Sequence, residues 1–243
     1  MSNTSYYKYE VARIFRNRQN FIFSLVLPVV LFLFIAGTNR GQKIGSLTLP
    51  TYLMAGMIGF GGMGAVVSGG ARIALERDLG WTRQLRISPL SPRAYFRGKL
   101  LGSYITACCT IALMFIAGAF IGVRMPAVRW FEMTGLILVA LIPFAALGIM
   151  LGHLIKADTM GPVMGGGMSL LAILGGSFGP LGSDNSWLHD VSEFIPSYWA
   201  TQAGHVAVGG DAWGLRGWIT VAAWSVVFVY GAVWAYRRDT GRA

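Results

Sequence analysis

The sequence predicts an all-α integral membrane protein with six transmembrane helices, and three observations carry that prediction. Only 12% of the 243 residues are charged, against about 25% in soluble domains. Those charges sit in short segments between long uncharged apolar runs, as membrane-spanning helices require. The 33 glycines are spread through the runs, which suits helices in lipid, where small residues let backbones approach closely. Mean hydropathy is +0.56 and net charge +10. In a soluble protein that charge would point to nucleic acid. Here the basic residues flank the apolar runs, so the positive-inside rule accounts for them and no nucleic-acid partner is expected.

The chain is read as a single transmembrane domain, residues 1–243. Residues 1–20 form an amphipathic helix at the membrane surface, with Tyr7, Val11, Ile14 and Phe15 on one face and Lys8, Arg13 and Arg16 largely elsewhere. Phe21 to Gly37 is the first span, kinked at Pro28. Pro50 to about Gly70 is the second, with Gly56, Gly59, Gly61, Gly62 and Gly64 baring its backbone. A charged cytoplasmic loop, residues 71–99, follows.

Leu100 to Val123 is the third span, with Gly118 and Gly122 as a small-residue packing pair. Met133 to Ile155 is the fourth, with a second such pair at Gly148 and Gly152. Pro162 to about Leu181 is the fifth. Residues 182–217 are too polar to span and too apolar for a plain loop, carrying Trp187, Leu188, Val191, Phe194, Ile195, Tyr198 and Trp199. Such a stretch reads as a re-entrant or interfacial element. Trp218 to Tyr236 is the sixth span.

Lysines and arginines set the orientation. Of the 20, only Arg40, Lys43, Arg124, Arg129 and Arg216 fall on the proposed outer side. That asymmetry places both termini and the 71–99 loop in the cytoplasm.

Chemistry within the spans is sparse. No Asp, Glu, Lys or Arg lies mid-span, which argues against a proton-driven transporter. His153, near the inner end of the fourth span, reads as a packed histidine. No phosphate-binding G-x-x-x-x-G-K-(S/T) loop occurs, so ATP is not hydrolysed by that route. His189 and Glu193 share a helix face, but one histidine and one acid make a solvated face more readily than a metal or catalytic site. Cys108 and Cys109 are adjacent and read as small packing residues. No catalytic residue, metal or directly bound cofactor is expected. Met54, Met57, Phe60, Met164 and Met168 are candidates to line a substrate pathway, because methionine surfaces adapt to varied apolar ligands.

The most informative stretch runs from Glu76 to Pro92, a charge-rich segment in an otherwise apolar chain. Leu79, Leu85 and Ile87 give a short helix an apolar side, and Arg83 and Arg86 lie i, i+3 on a neighbouring face. Ser88-Pro89 stops that helix. Ser91-Pro92 opens the next, with Ser91 as cap and Pro92 in the first turn. Glu76, Arg77, Gly80, Leu85, Ser88, Pro89, Leu90 and Ser91 resemble the cytoplasmic loop of ABC-2 type permeases, E-R-x-x-G-(T/S)-x-x-x-L-x-x-(S/T)-P-L-(S/T), and Trp81 stands where that pattern has a small residue. Pro180 and Pro196-Ser197-Tyr198-Trp199 resemble the same family's paired outer helices before the last span.

The resemblance, particularly to daunorubicin-resistance-like drug exporters, implies a multi-pass subunit of the bacterial cytoplasmic membrane. It implies a second permease subunit, identical or different, and separate ABC ATPase subunits that hold ATP-Mg. Glu76, Arg77, Gly80, Arg83, Gln84, Leu85, Arg86 and Pro89 would form the ATPase-coupling element, with Arg83 to Arg86 meeting the ATPase. Phe194, Pro196, Tyr198 and Trp199 would form an outer gate. The expected function is outward movement of a small amphipathic, drug-like compound. The alternatives are export of a lipid or lipid-linked glycan, and a passive channel or membrane anchor.

Overall fold

The computed structural model describes residues 6–7, 10–12, 18–80, 91–181 and 187–241. Apart from one minimal hairpin, its regular structure is helical. Helix α1 (Arg18–Thr38) leads through the hairpin of β1 (Lys43–Ile44) and β2 (Leu47–Thr48) into α2 (Leu49–Asp78). Helix α3 (Pro92–Ile121) follows, then α4 (Ala127–Ala140) and α5 (Ile142–Leu154). Beyond them come α6 (Ala157–Pro162), a π-helical turn at Val163–Gly167 and α7 (Met168–Leu174). Two short helices, α8 (Trp187–Ser192) and α9 (Pro196–Ala207), precede α10 (Leu215–Gly241).

Helix α2 is the hub. It packs against α1, α3, α5 and α9, and 89% of its most apolar stretch is buried, against 17% for α10. The reason is its lack of side chains at the contacts. A β-carbon on Gly70 would collide with the Gly148 carbonyl of α5, and one on Gly152 would come within 2.6 Å of the Gly70 carbonyl. The Gly148/Gly152 pair therefore seats α5 backbone to backbone on α2. On another side, a β-carbon on Gly59 would lie 2.6 Å from the Ala200 carbonyl of α9, and one on Gly204 would meet the Ala55 carbonyl. Together with the Tyr52–His205 ring contact at 4.5 Å, these pairs run in opposite order along the two helices. Helix α9 is thus antiparallel to α2.

Among the described residues, four helices are long and apolar enough to cross a membrane: Leu49–Asp78, Arg93–Ile121, Ala127–Leu154 (α4 and α5 together) and Leu215–Asp239. The other two of the six expected spans are not continuous helices of that length among the described residues. The first expected span is present as α1, with a shorter apolar stretch at Leu25–Thr38. The fifth, expected over 162–181, starts earlier, ends earlier and is broken. Pro162 lacks the N–H that would bond the Asp158 carbonyl. The helix then widens into the π turn at Val163–Gly167 and ends at Gly175, followed by Gly176 with φ +72°. The break between α4 and α5 at Leu141 has the same origin, Pro143 in the first turn of α5.

Other expectations are corrected at the helix ends. The 71–99 loop is largely helix: α2 runs on to Asp78 and α3 begins at Pro92. Ser91 Oγ accepts from the Ala94 N–H at 3.2 Å, and Pro92 sits in the first turn. Gly122 is not a packing residue. It caps α3 in the left-handed conformation, φ +106°, while Gly118 alone makes the close contact, against Met54 Sδ. In the leader, the buried residues are Tyr6 and Glu10, with Tyr7 and Val11 half-buried; Ile14 and Phe15 lie outside the described residues. The face turns because the Tyr6 ring lies over Gly98, which has no side chain.

Gly70→Ala should therefore destabilise the bundle, by about 1–3 kcal/mol for an overpacked site. Gly64→Ala, where nothing lies within 4 Å, should be neutral or slightly stabilising through helix propensity. Thermal melting of the two purified variants in detergent checks the contrast.

Candidate functional site

Three consecutive residues at the C-terminal end of α2 each bind a different element. Glu76 is fully buried, and its Oε1 accepts from Lys99 Nζ of α3 at 2.5 Å. The same ammonium donates to Glu10 Oε1 of the N-terminal segment at 2.8 Å. Lys99 is only 3% exposed and stands 5.4 Å from the Tyr95 ring centroid. Arg77 turns the other way. Its Nη1 donates to the Gly152 and Ile155 carbonyls at the end of α5, at 3.0 and 3.3 Å, and its Nε lies 2.9 Å from Asp239 Oδ2 of α10. Asp239 also meets His153 Nδ1 at 3.1 Å. Asp78 Oδ2 accepts from the Ala157 N–H that opens α6, at 3.3 Å.

Burial decides what these contacts are worth. An exposed ion pair contributes about 0–1 kcal/mol, but removing one partner of a buried pair costs about 3–5 kcal/mol, because a charge is left without compensation. Lys99, Glu76 and Glu10 belong to the second class. The aromatic rings of Tyr95, Phe96 and Tyr236 surround His153 and wall the two clusters. The unpaired carbonyls at the end of α5 are satisfied by the Arg77 guanidinium, the charge that a helix C-terminus favours.

Above this level lies a cavity of about 590 Å³ between α1, α2 and the α6–π–α7 segment. Phe60, Met164 and Met168 line it, whereas Met54 and Met57 are sealed in the core and do not. Space exists here because the broken segment cannot lie flush on α2. A β-carbon added to Gly161 or Gly165 on that wall would meet nothing within 4 Å.

At the opposite end of α2, Pro196, Tyr198 and Trp199 are buried in the first turn of α9, while Phe194 is exposed. Trp199 Nε1 donates to the Glu193 carbonyl at 2.7 Å and Trp224 Nε1 to the Phe194 carbonyl at 2.8 Å. The α8–α9 corner is thereby tied to α10. Glu193 bridges Arg216 at 2.8 Å and approaches His189 at 3.7 Å. Among the described residues no group of three or more His, Cys, Asp or Glu could hold a metal ion. A smaller polar chamber of about 160 Å³ lies between α2 and α9, lined in part by Tyr52, Thr201 and His205.

The structure thus places Glu76 in a buried ion pair, Arg77 in a half-buried one, and Gly80 at φ +71° beyond the helix. Arg83, Gln84, Leu85, Arg86 and Pro89 lie outside the described residues. Sequence reasoning missed Glu10, Lys99 and Asp239. By sequence Lys99 is one more inner-face charge, yet a lysine at the edge of an apolar run is itself a signal of a buried acidic partner.

An ABC-2 type transporter family model matches residues 4–207, a range that takes in the Lys99 cluster, the cavity and the α8–α9 pair. The chain belongs to the ABC-2 type transporter family. It is also 27% identical over 192 residues to a Bacillus subtilis (strain 168) protein carrying the name "Putative transport permease YvfS", covering 78% of each chain. This ABC-2 family member is therefore a multi-pass membrane protein and a permease subunit of an ABC transporter. The Glu76-Arg77 pair that carries the family resemblance in the sequence is the pair that joins α2 to α3, α5 and α10.

Lys99→Met should lower stability by about 3–5 kcal/mol by stranding two buried carboxylates. Adding Glu76→Met to it should recover part of that loss. A double-mutant cycle on detergent-solubilised melting temperatures measures the coupling, and additive losses would show that the pair is not coupled.

Proposed function

We propose that the chain is the membrane subunit of an exporter that moves a small amphipathic, drug-like compound outward across the cytoplasmic membrane, driven by a separate ABC ATPase. The cavity is the observation that carries this reading. Its volume lies in the range of drug-sized ligand sites, about 300–1,000 Å³, and its walls are apolar and methionine-rich. A compact compound suits that volume better than a lipid-linked glycan.

The inner ends of the helices supply the coupling. Helices α2 and α3 have 30 residues each, about 45 Å at 1.5 Å per residue, against a hydrocarbon core of about 30 Å. That excess length lies at the ends of α2 and α3 that flank the coupling stretch, whose Arg83 to Arg86 would dock on the ATPase. Force applied there reaches α2 directly, and through Glu76, Arg77 and Asp78 it reaches α3, α5, α10 and α6 in the same movement. Tilting α2 against α6 changes the cavity. ATP-Mg stays on the ATPase, a second permease subunit completes the pathway, and both termini face the cytoplasm, as the basic residues indicate. Phe194, Tyr198 and Trp199 would act at the outer exit.

Arg83→Glu with Arg86→Glu should reduce co-purification of the ATPase subunit from mild detergent at least several-fold while leaving the melting temperature unchanged. Undiminished co-purification would disprove docking through these arginines. Transport that persists without the ATPase would favour the passive-channel reading.

A further inference from the structure

This inference rests on the cavity being the substrate site. We propose that the cavity selects amphipathic cations over anions, with the Asp158 carboxylate as the counter-charge.

The charge pattern of the wall carries the argument. Among the described residues lining the cavity, Asp158 is the one ionisable side chain, and no lysine, arginine or histidine joins it. That is unusual in a chain with twice as many basic as acidic residues. Asp158 stands in the first turn of α6, at the inner rim. Phe60, Met164 and Met168 form the apolar floor farther in. Charge at the rim and an apolar floor match a molecule with a cationic end and a hydrophobic body. A cation gains the carboxylate at the rim while its hydrophobic body packs on the apolar floor. An anion of the same shape meets like charge, with no basic group on the wall to offset it.

The wall is also open where a ligand must enter. Gly64, Gly161 and Gly165 line the cavity, and a β-carbon at any of them would meet nothing within 4 Å. These glycines are not explained by packing within the chain. The π turn lies on the same wall, an irregularity often found at functional sites.

A carboxylate in a first helical turn is favourable to the helix dipole with no ligand at all. The test must therefore read ligand charge, not stability. The probes are tetraphenylphosphonium and tetraphenylborate, close in shape and opposite in sign. Their saturable binding is measured by equilibrium dialysis on the full-length chain in phosphatidylcholine nanodiscs, with protein-free nanodiscs subtracted.

The wild type should prefer the phosphonium. Asp158→Asn should weaken phosphonium binding about three- to fivefold, the scale of one partly solvated charge pair, and should narrow the gap to the borate. Asp158→Glu should restore the preference. Met164→Trp, and independently Gly64→Phe, should weaken both probes by filling the space. Equal binding of the two probes by the wild type, or a preference unchanged in Asp158→Asn, overturns the cation selectivity. If the filling variants still weaken both probes in that case, the cavity stands as a binding site and only its charge preference is lost. Binding untouched by either filling variant overturns the cavity as the site, and the selectivity with it. No saturable binding at all, with phospholipid or a second copy of the chain covering the groove, does the same.

Discussion

The structure depends on a run of three charged residues at the end of one helix. Glu76, Arg77 and Asp78 point to three sides of α2 and bind, in turn, α3 with the N-terminal segment, α5 with α10, and the start of α6. Successive residues on a helix are about 100° apart, so three in a row reach around most of its circumference. Buried ions tolerate little displacement, because separating them exposes each to a low-dielectric surrounding without compensation. The ends of α2 and α3 that share the buried Glu76–Lys99–Glu10 ions are therefore held in one arrangement, or must move together.

The opposite half of α2 is held without such ions. There the contacts are backbone on backbone: Gly59 on Ala200, and Gly204 on Ala55. Such contacts replace charge with close van der Waals approach, which lipid does not oppose. The Trp199 indole closes the α8–α9 corner on the Glu193 carbonyl, and the Trp224 indole of α10 fastens that corner through the Phe194 carbonyl. Between ionic and close-packed ends lies the broken α6–π–α7 segment, held to α2 at its start by the Asp78–Ala157 contact. Proline and glycine prevent a regular helix there, and the cavity occupies the resulting gap. The cavity and its irregular wall arise from the same local sequence.

Much of this is legible in the sequence, for identifiable reasons. Apolar runs place helices because the bilayer core demands satisfied backbone groups, so α1, α2, α3, α4 with α5, and α10 fall where expected. The Ser91-Pro92 start is readable because capping is local. The fifth span departs from expectation because hydropathy counts apolar residues and does not weigh what Pro162 and the following glycines do to the hydrogen-bond ladder. Met54 and Met57 look the same in sequence as Met164 and Met168, yet the first two are sealed against neighbouring helices and the second two line the cavity.

By itself, the sequence determined that the chain is a helical membrane protein with its basic residues flanking the apolar runs, and that its Glu76-to-Ser91 stretch follows the ABC-2 pattern. These properties follow from composition, periodicity and order, which need no folding to read. Tertiary structure alone decided that Lys99 shares its charge between Glu10 and Glu76, that Arg77 joins α5 to α10, and that Asp158 stands at the rim of an apolar cavity. Each of those brings together residues distant in the chain. Which distant residues meet depends on how helices pack, and packing is settled by the close fit of whole surfaces.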